Sequence, residues 1–263
     1  MRGYALANEK QGSHVYSSAP VAPASSHRIS KDEMNQPTFE YQTESKRKWL
    51  SRNYDRAAWF YETSARIYSG DQIAASKRYQ LNHILPGEKT IFLGVGSGED
   101  AFGAAEHGAD VTCVDISSGM LARLERKLKR KNLTANLLCQ NALELDASNQ
   151  FDVCCTNYFL NMFKEPDMVK MMTHASKLVR PGGKLMIADV ALGQGGAVQN
   201  ALNAAYRKFA MVSFWALGLV ELHRDYDYCS YFGQLGLEFE EVNYFRPYKI
   251  GPVGFQCIVA TKL

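Results

Sequence analysis

Three glycines at alternate positions, Gly94, Gly96 and Gly98, follow an apolar run at 91–95, and Asp115 closes a second apolar run at 111–115. A residue without Cβ takes positive φ readily and lets a ligand approach the backbone, and the helix expected from Glu99 turns its free N–H groups to the same place. In a strand–helix–strand unit the tip of the second strand lies beside that turn, so the Asp115 carboxylate can accept from both hydroxyls of a ribose. The chemistry is that of holding a nucleoside. A dinucleotide fits less well, because the G-x-G-x-x-G fingerprint needs a small residue at 99 and Glu99 stands there.

The elements that must position these residues are short apolar strands without polar alternation, as in a sheet covered on both faces. Strands are expected at 91–95, 111–115, 135–139, 151–158, 237–244 and 255–261, the last two as a closing hairpin, and 178–189 reads as a helix end, a Pro-Gly-Gly turn and then a long buried strand. A helical pattern at 73–85 stops at Pro86-Gly87, and a hydroxyl residue after Ile116 can cap a second helix reaching Asn132. Open α/β sheets bind ligands outside the carboxyl ends of their strands, which puts Asn157 and Tyr158 at the crevice. His83 in the first helix reads as packed or solvated. The segment 199–223 is helical and very apolar in its second half, and reads either as a core helix or as the roof of a greasy pocket. Its apolar stretch is too short to span a bilayer, which takes about 20 residues. Nearby, Tyr226, Tyr228 and Tyr231 offer hydroxyls that could orient or deprotonate an acceptor.

With 263 residues and 46% hydrophobic content the chain can bury one large core. Residues 1–45, rich in Ser, Ala and Pro, read as a disordered tail, and 46–263 as the folded domain. No apolar leader core follows Met1, and the acids Glu9, Asp32 and Glu33 speak against a transit peptide. Cys113, Cys139, Cys154, Cys155, Cys229 and Cys257 lack paired metal spacing and read as reduced core thiols in a cytoplasmic protein, with no metal site. A net charge of +3 requires no polyanion, so no nucleic acid partner is expected. The basic cluster Arg123, Arg126, Lys127, Lys129, Arg130 and Lys131 reads as a solvated helix face, with peripheral contact to an anionic membrane, or to RNA, as the alternative.

The G-x-G-x-G turn, the strand-terminal Asp115 and the L-x-x-P-G-G segment from Leu178 to Gly183 together resemble the class I S-adenosylmethionine-dependent methyltransferases, particularly the ubiquinone/menaquinone methyltransferase-like group. Tyr54, Asp55, Ala58 and Tyr61 match that group's Y-D-x-x-A-x-x-Y segment, which in relatives forms a lid; read alone, the same spacing is that of an amphipathic helix. The likeness covers 54–263 and implies a Rossmann-like, seven-stranded, mostly parallel sheet with helices on both faces and the last strand antiparallel. It implies S-adenosylmethionine as cofactor and methyl transfer to a small, apolar or aromatic acceptor such as a quinol, phenol, lipid or amine. Gly94, Gly96, Gly98, Asp115, Ile116, Asn141, Ala142 and Asn157 would then bind the cofactor, Ile116 against the adenine, and Tyr54, Tyr61 and Tyr158 would orient the acceptor.

Three positions depart from the pattern. Phe92 stands where relatives carry the acid that supports the cofactor's methionine ammonium, and a phenyl ring accepts no hydrogen bond. Backbone carbonyls, Glu99 or Asp100 are the alternatives. Asn141 replaces the Asp that meets the adenine amine, and Asn161 a frequent histidine, which removes a histidine base there. Two further readings follow: an enzyme using the same cofactor for another reaction, and a binding protein that keeps the fold.

Overall fold

The computed structural model describes residues 66, 68–192, 225–249 and 253–263, with scattered positions between 200 and 212. The expected tail, the Tyr54 to Tyr61 segment and most of the expected 199–223 helix lie outside the described residues.

Seven strands form one sheet: β1 Lys89–Leu93, β2 Asp110–Asp115, β3 Asn136–Cys139, β4 Phe151–Asn157, β5 Val179–Val190, β6 Leu237–Phe245 and β7 Phe255–Lys262, in the order β3-β2-β1-β4-β5-β7-β6. All pairs are parallel from β3 to β5, and β7 runs antiparallel to both β5 and β6. Four described helices flank the sheet: α1 Gln72–Tyr79, α2 Glu99–Glu106, α3 Ser118–Lys129 and α4 Glu165–Leu178. The helix expected at 73–85 ends earlier, in a 3-10 turn Gln80–His83. Among the described residues no helix is long and apolar enough to cross a membrane.

Successive residues of one strand face opposite ways, and here both faces are apolar. Ile91 and Leu93 join Leu185, Ile187 and the α4 side chains Met168, Met171 and Met172 in one core. Phe92 joins Val111, Cys113, Cys155 and the α2 and α3 residues Ala101, Ala104, Leu121 and Leu124 in the other. That is why these strands show no polar alternation. Ser117 caps α3, its hydroxyl oxygen accepting from the Met120 N–H at 3.1 Å. The Pro181-Gly182-Gly183 turn is a bulge inside β5, where the register against β4 shifts. A Cβ on Gly183 would stand 2.6 Å from the Asp152 carbonyl oxygen, so glycine lets the two strands meet.

At the end of β5, Asp189 is fully buried, accepting from the Val190 N–H at 2.7 Å and the Tyr228 hydroxyl at 2.8 Å. Tyr226 donates to the Phe163 carbonyl at 3.0 Å and Tyr231 to Glu165 at 2.6 Å. The three tyrosine hydroxyls therefore pin the 226–231 segment to β5, α4 and the loop before α4. Burial pushes the Asp189 carboxyl up to about 7, against the opposing effect of its hydrogen bonds. A carboxyl whose folded value exceeds its unfolded value, near 4, keeps a proton that the unfolded chain releases, so its contribution is full below about pH 4 and is lost as the pH rises to about 7. Between pH 5 and 8, urea unfolding should show wild type losing about 2–3 kcal/mol relative to Asp189→Asn; a difference independent of pH would mean that Asp189 does not titrate in this window.

Candidate functional site

The glycine turn lies at the switch point, where the chain leaves β1 for β2 on one side and β4 lies on the other. Gly94 and Gly96 have φ of 71° and 54°. Their surroundings differ. A Cβ on Gly94 would fall 2.2 Å from the Phe159 ring, so the loop after β4 rests directly on this residue. A Cβ on Gly98 would lie 3.0 Å from Leu124 of α3. Among the described residues nothing stands within 4 Å of a Cβ built on Gly96, so that side of the turn is open to them. Two of the glycines thus serve packing as well as turning, and the middle one leaves room for a ligand.

Asp115, at the tip of β2, is oriented by two backbone donors: the Ser117 N–H reaches Oδ1 at 2.8 Å and the Gly96 N–H reaches Oδ2 at 3.4 Å. A carboxylate has about four acceptor positions, so further donors can be accommodated. Ile116 is half-buried next to it, whereas Met120 one turn on is packed into the protein. Asn141 accepts from the Leu143 N–H at 3.1 Å and so caps the 3-10 turn Ala142–Glu144. Its oxygen keeps a second lone pair. Ala142 is buried beneath it.

The tip of β4 carries the most constrained residues of the site. Asn157 is buried, donating to Gln80 Oε1 at 2.9 Å and Asp100 Oδ2 at 2.6 Å while accepting from Gln80 Nε2 at 2.7 Å. Its side chain is therefore turned to neighbouring elements, and what it presents towards the crevice is backbone. Tyr158 has φ of 51°, a conformation uncommon for a bulky side chain and a form of strain that clusters at functional sites. Its hydroxyl shares a hydrogen bond with Ser76 of α1 at 2.9 Å, its ring packs edge-on to Phe255, and the Lys77 Nζ stands 5.9 Å from the ring centre.

Sequence reasoning missed Lys77 and Gln80, which come from α1 and the turn after it. No spacing in the chain links them to the glycine turn. Glu99 and Asp100, neighbours in sequence, have opposite fates: the Glu99 side chain is 67% exposed and pairs with Lys127, while Asp100 is 5% exposed. Among the described residues Asp100 Oδ1 is buried without a hydrogen-bond partner. His83 stands 2.9 Å from Glu241 of β6, which also accepts from the Tyr79 hydroxyl at 2.9 Å, so it joins α1 and its following turn to the sheet.

The glycines make a direct test of this geometry. Gly94→Ala must displace Phe159 and should cost at least about 2 kcal/mol in urea unfolding, whereas Gly96→Ala carries backbone strain alone, about 1 kcal/mol. Equal losses would show that Phe159 does not rest on Gly94 in solution.

Residues 91–183 match the family model described as "Methyltransferase domain". A demethylmenaquinone methyltransferase of Renibacterium salmoninarum is 27% identical over 139 residues, 52% of this chain and 56% of that protein. A ubiquinone biosynthesis O-methyltransferase of Coxiella burnetii is 30% identical over 107 residues, 40% of this chain and 45% of that protein. The chain thus spans about half the length of the curated relatives it matches. In fold it is similar to the 1,6-didemethyltoxoflavin-N1-methyltransferase of Burkholderia thailandensis, with a TM-score of 0.59 at 14% identity over 86% of this chain and 93% of that one. The magnesium protoporphyrin IX methyltransferase of Synechocystis PCC 6803 superposes with a TM-score of 0.57 at 15% identity over 78% and 88%. The family match runs from β1 to the β5 bulge, the part of the fold that builds the glycine turn and sets Asp115 beside it.

Proposed function

We propose that the chain transfers the methyl group of S-adenosylmethionine to a small, apolar or aromatic acceptor. The observation that carries this is Asp115, held by the Gly96 and Ser117 N–H groups beside the open face of Gly96. Gly96 leaves space for the nucleoside, Asp115 would take its ribose hydroxyls, and Ile116 and the second lone pair of Asn141 would meet its base. S-Adenosylmethionine supplies an already activated methyl electrophile when bound. The protein's own task is then to align the acceptor and exclude water. Tyr158 carries a fixed hydroxyl at the β4 tip for that purpose, and Tyr54 and Tyr61 are proposed to complete the enclosure.

The aromatic side chains Tyr68, Tyr158, Phe159, Phe163 and Phe255, packed edge-to-face in pairs around the strand ends, support an acceptor with an apolar or ring-shaped body. The quinone names of the similar proteins point the same way. Burial pushes the thiols of Cys113, Cys154, Cys155 and Cys257 up, so they stay protonated and are not nucleophiles. All six cysteines are unpaired, which supports a reducing compartment such as the cytoplasm. Lys127, Lys129 and Lys131 each pair with a glutamate, Glu99, Glu125 and Glu106, which supports a solvated α3 surface over a polyanion contact.

Calorimetry with S-adenosylhomocysteine should give micromolar binding to wild type, lost at least tenfold in Asp115→Ala and in Gly96→Ala; no binding to wild type would remove the proposal. Incubation with methyl-labelled cofactor and a panel of quinols and phenols should label one of them. Binding without label transfer would instead favour a non-methylating use of the cofactor, the reading that Phe92 supports. Tyr158→Phe should lower turnover about tenfold or more at unchanged cofactor affinity; unchanged turnover would confine its hydroxyl to the Ser76 contact.

A further inference from the structure

Phe92 is 3% exposed and packed in the core between Cys113 and Cys155, so its position in β1 supplies no acceptor to the crevice. A buried carboxylate beside the glycine turn comes from another element. Asp100 is the second residue of α2, two positions past Gly98, and its Oδ2 accepts from Asn157 at the tip of β4, the strand next to β1. Its carboxylate therefore lies between the glycine turn and the β4 tip, over the switch point. Lys77 Nζ stands 3.6 Å from the same Oδ2 with 16% of its side chain exposed, while Oδ1 is buried and, among the described residues, unpartnered.

A buried ion pair needs every remaining lone pair and proton satisfied, or desolvation outweighs the attraction. Here one carboxylate oxygen has no partner and the lysine is still in reach of solvent. Such a pair is complementary to a zwitterion: an incoming ammonium completes Oδ1, an incoming carboxylate completes Lys77, and the site gains no net charge. Asn157 and Gln80, hydrogen-bonded to each other twice, hold the Asp100 carboxylate in orientation.

We propose that Asp100 and Lys77 bind the amino-acid tail of S-adenosylmethionine, Asp100 Oδ1 accepting from its α-ammonium and the Lys77 ammonium facing its α-carboxylate, so that α1 and α2 take over a role that Phe92 in β1 cannot fill. This rests on the cofactor use proposed above and assigns the residues that distinguish the intact cofactor from its tail-less fragments.

The test is calorimetry on the full chain with two probes, S-adenosylhomocysteine, which carries the tail, and 5′-methylthioadenosine, which lacks it. Asp100→Asn and Lys77→Met should each weaken S-adenosylhomocysteine by roughly 10- to 100-fold, the worth of a hydrogen bond to a charged group, and leave 5′-methylthioadenosine within about twofold. Retained binding of the tail-less probe is also the check that each variant is folded. Asp115→Ala should weaken both probes alike. Equal weakening of both probes by the Asp100 and Lys77 variants, or of neither while Asp115→Ala still weakens both, overturns the assignment and leaves the cofactor reading standing. Failure of wild type to bind either probe overturns both.

Discussion

The site depends on one buried charge. Asp100 lies almost wholly out of water, and a polar group in that condition is costly unless it is hydrogen-bonded. Its donors come from separate parts of the chain, Lys77 on α1 and Asn157 at the end of β4, and Gln80 in turn holds Asn157. Satisfying that single group draws α1, the turn after it, the first turn of α2 and the β4 tip to one point. The point coincides with the switch of strand order, where the sheet opens a crevice by topology alone. Electrostatic need and sheet topology thus act at the same place.

Around that charge the glycine turn divides its work. Gly94 is occupied by protein, its missing Cβ filled by Phe159, and Gly98 is pressed by Leu124; Gly96 alone of the three meets nothing among the described residues. The turn is thereby wedged on two sides and free on the third. Asp115 completes the arrangement by accepting from Gly96, so the carboxylate aimed at a ribose also fixes the backbone beside which that ribose would lie. The strained backbone of Tyr158, tied to Ser76, belongs to the same economy of close contacts at the strand ends.

On the opposite face of the sheet, Asp189 and Tyr228 make a second buried polar contact, isolated from the first by the strands themselves. It anchors the 226–231 segment to the end of β5. Burial pushes the Asp189 carboxyl up, with the Tyr228 hydroxyl and the Val190 N–H as its donors, whereas the Asp100 carboxylate stands beside the Lys77 ammonium.

Most strands were legible in the chain itself, because burial on both faces writes a continuous apolar run such as 91–95; the start of β5 was not, since the Pro181-Gly182-Gly183 turn expected before the strand is a bulge within it. The helix at 73–85 was legible in kind, though its last turn tightened into a 3-10 turn that carries Gln80 into the site. The glycine turn and Asp115 were legible too, since their spacing along the chain is set by the length of one helix and two strand ends. The inward turn of the Asn157 side chain was not legible, nor was the choice between Glu99 and Asp100, which differ by one position on a helix and so by a rotation that only packing converts into exposed or buried. Local sequence determined which elements form and where the nucleoside turn stands, because both follow from short-range periodicity and backbone freedom. The tertiary structure alone decided which charges meet, because Lys77, Gln80, Asp100 and Asn157 are distant in the chain and are brought together only when the sheet closes and its helices dock.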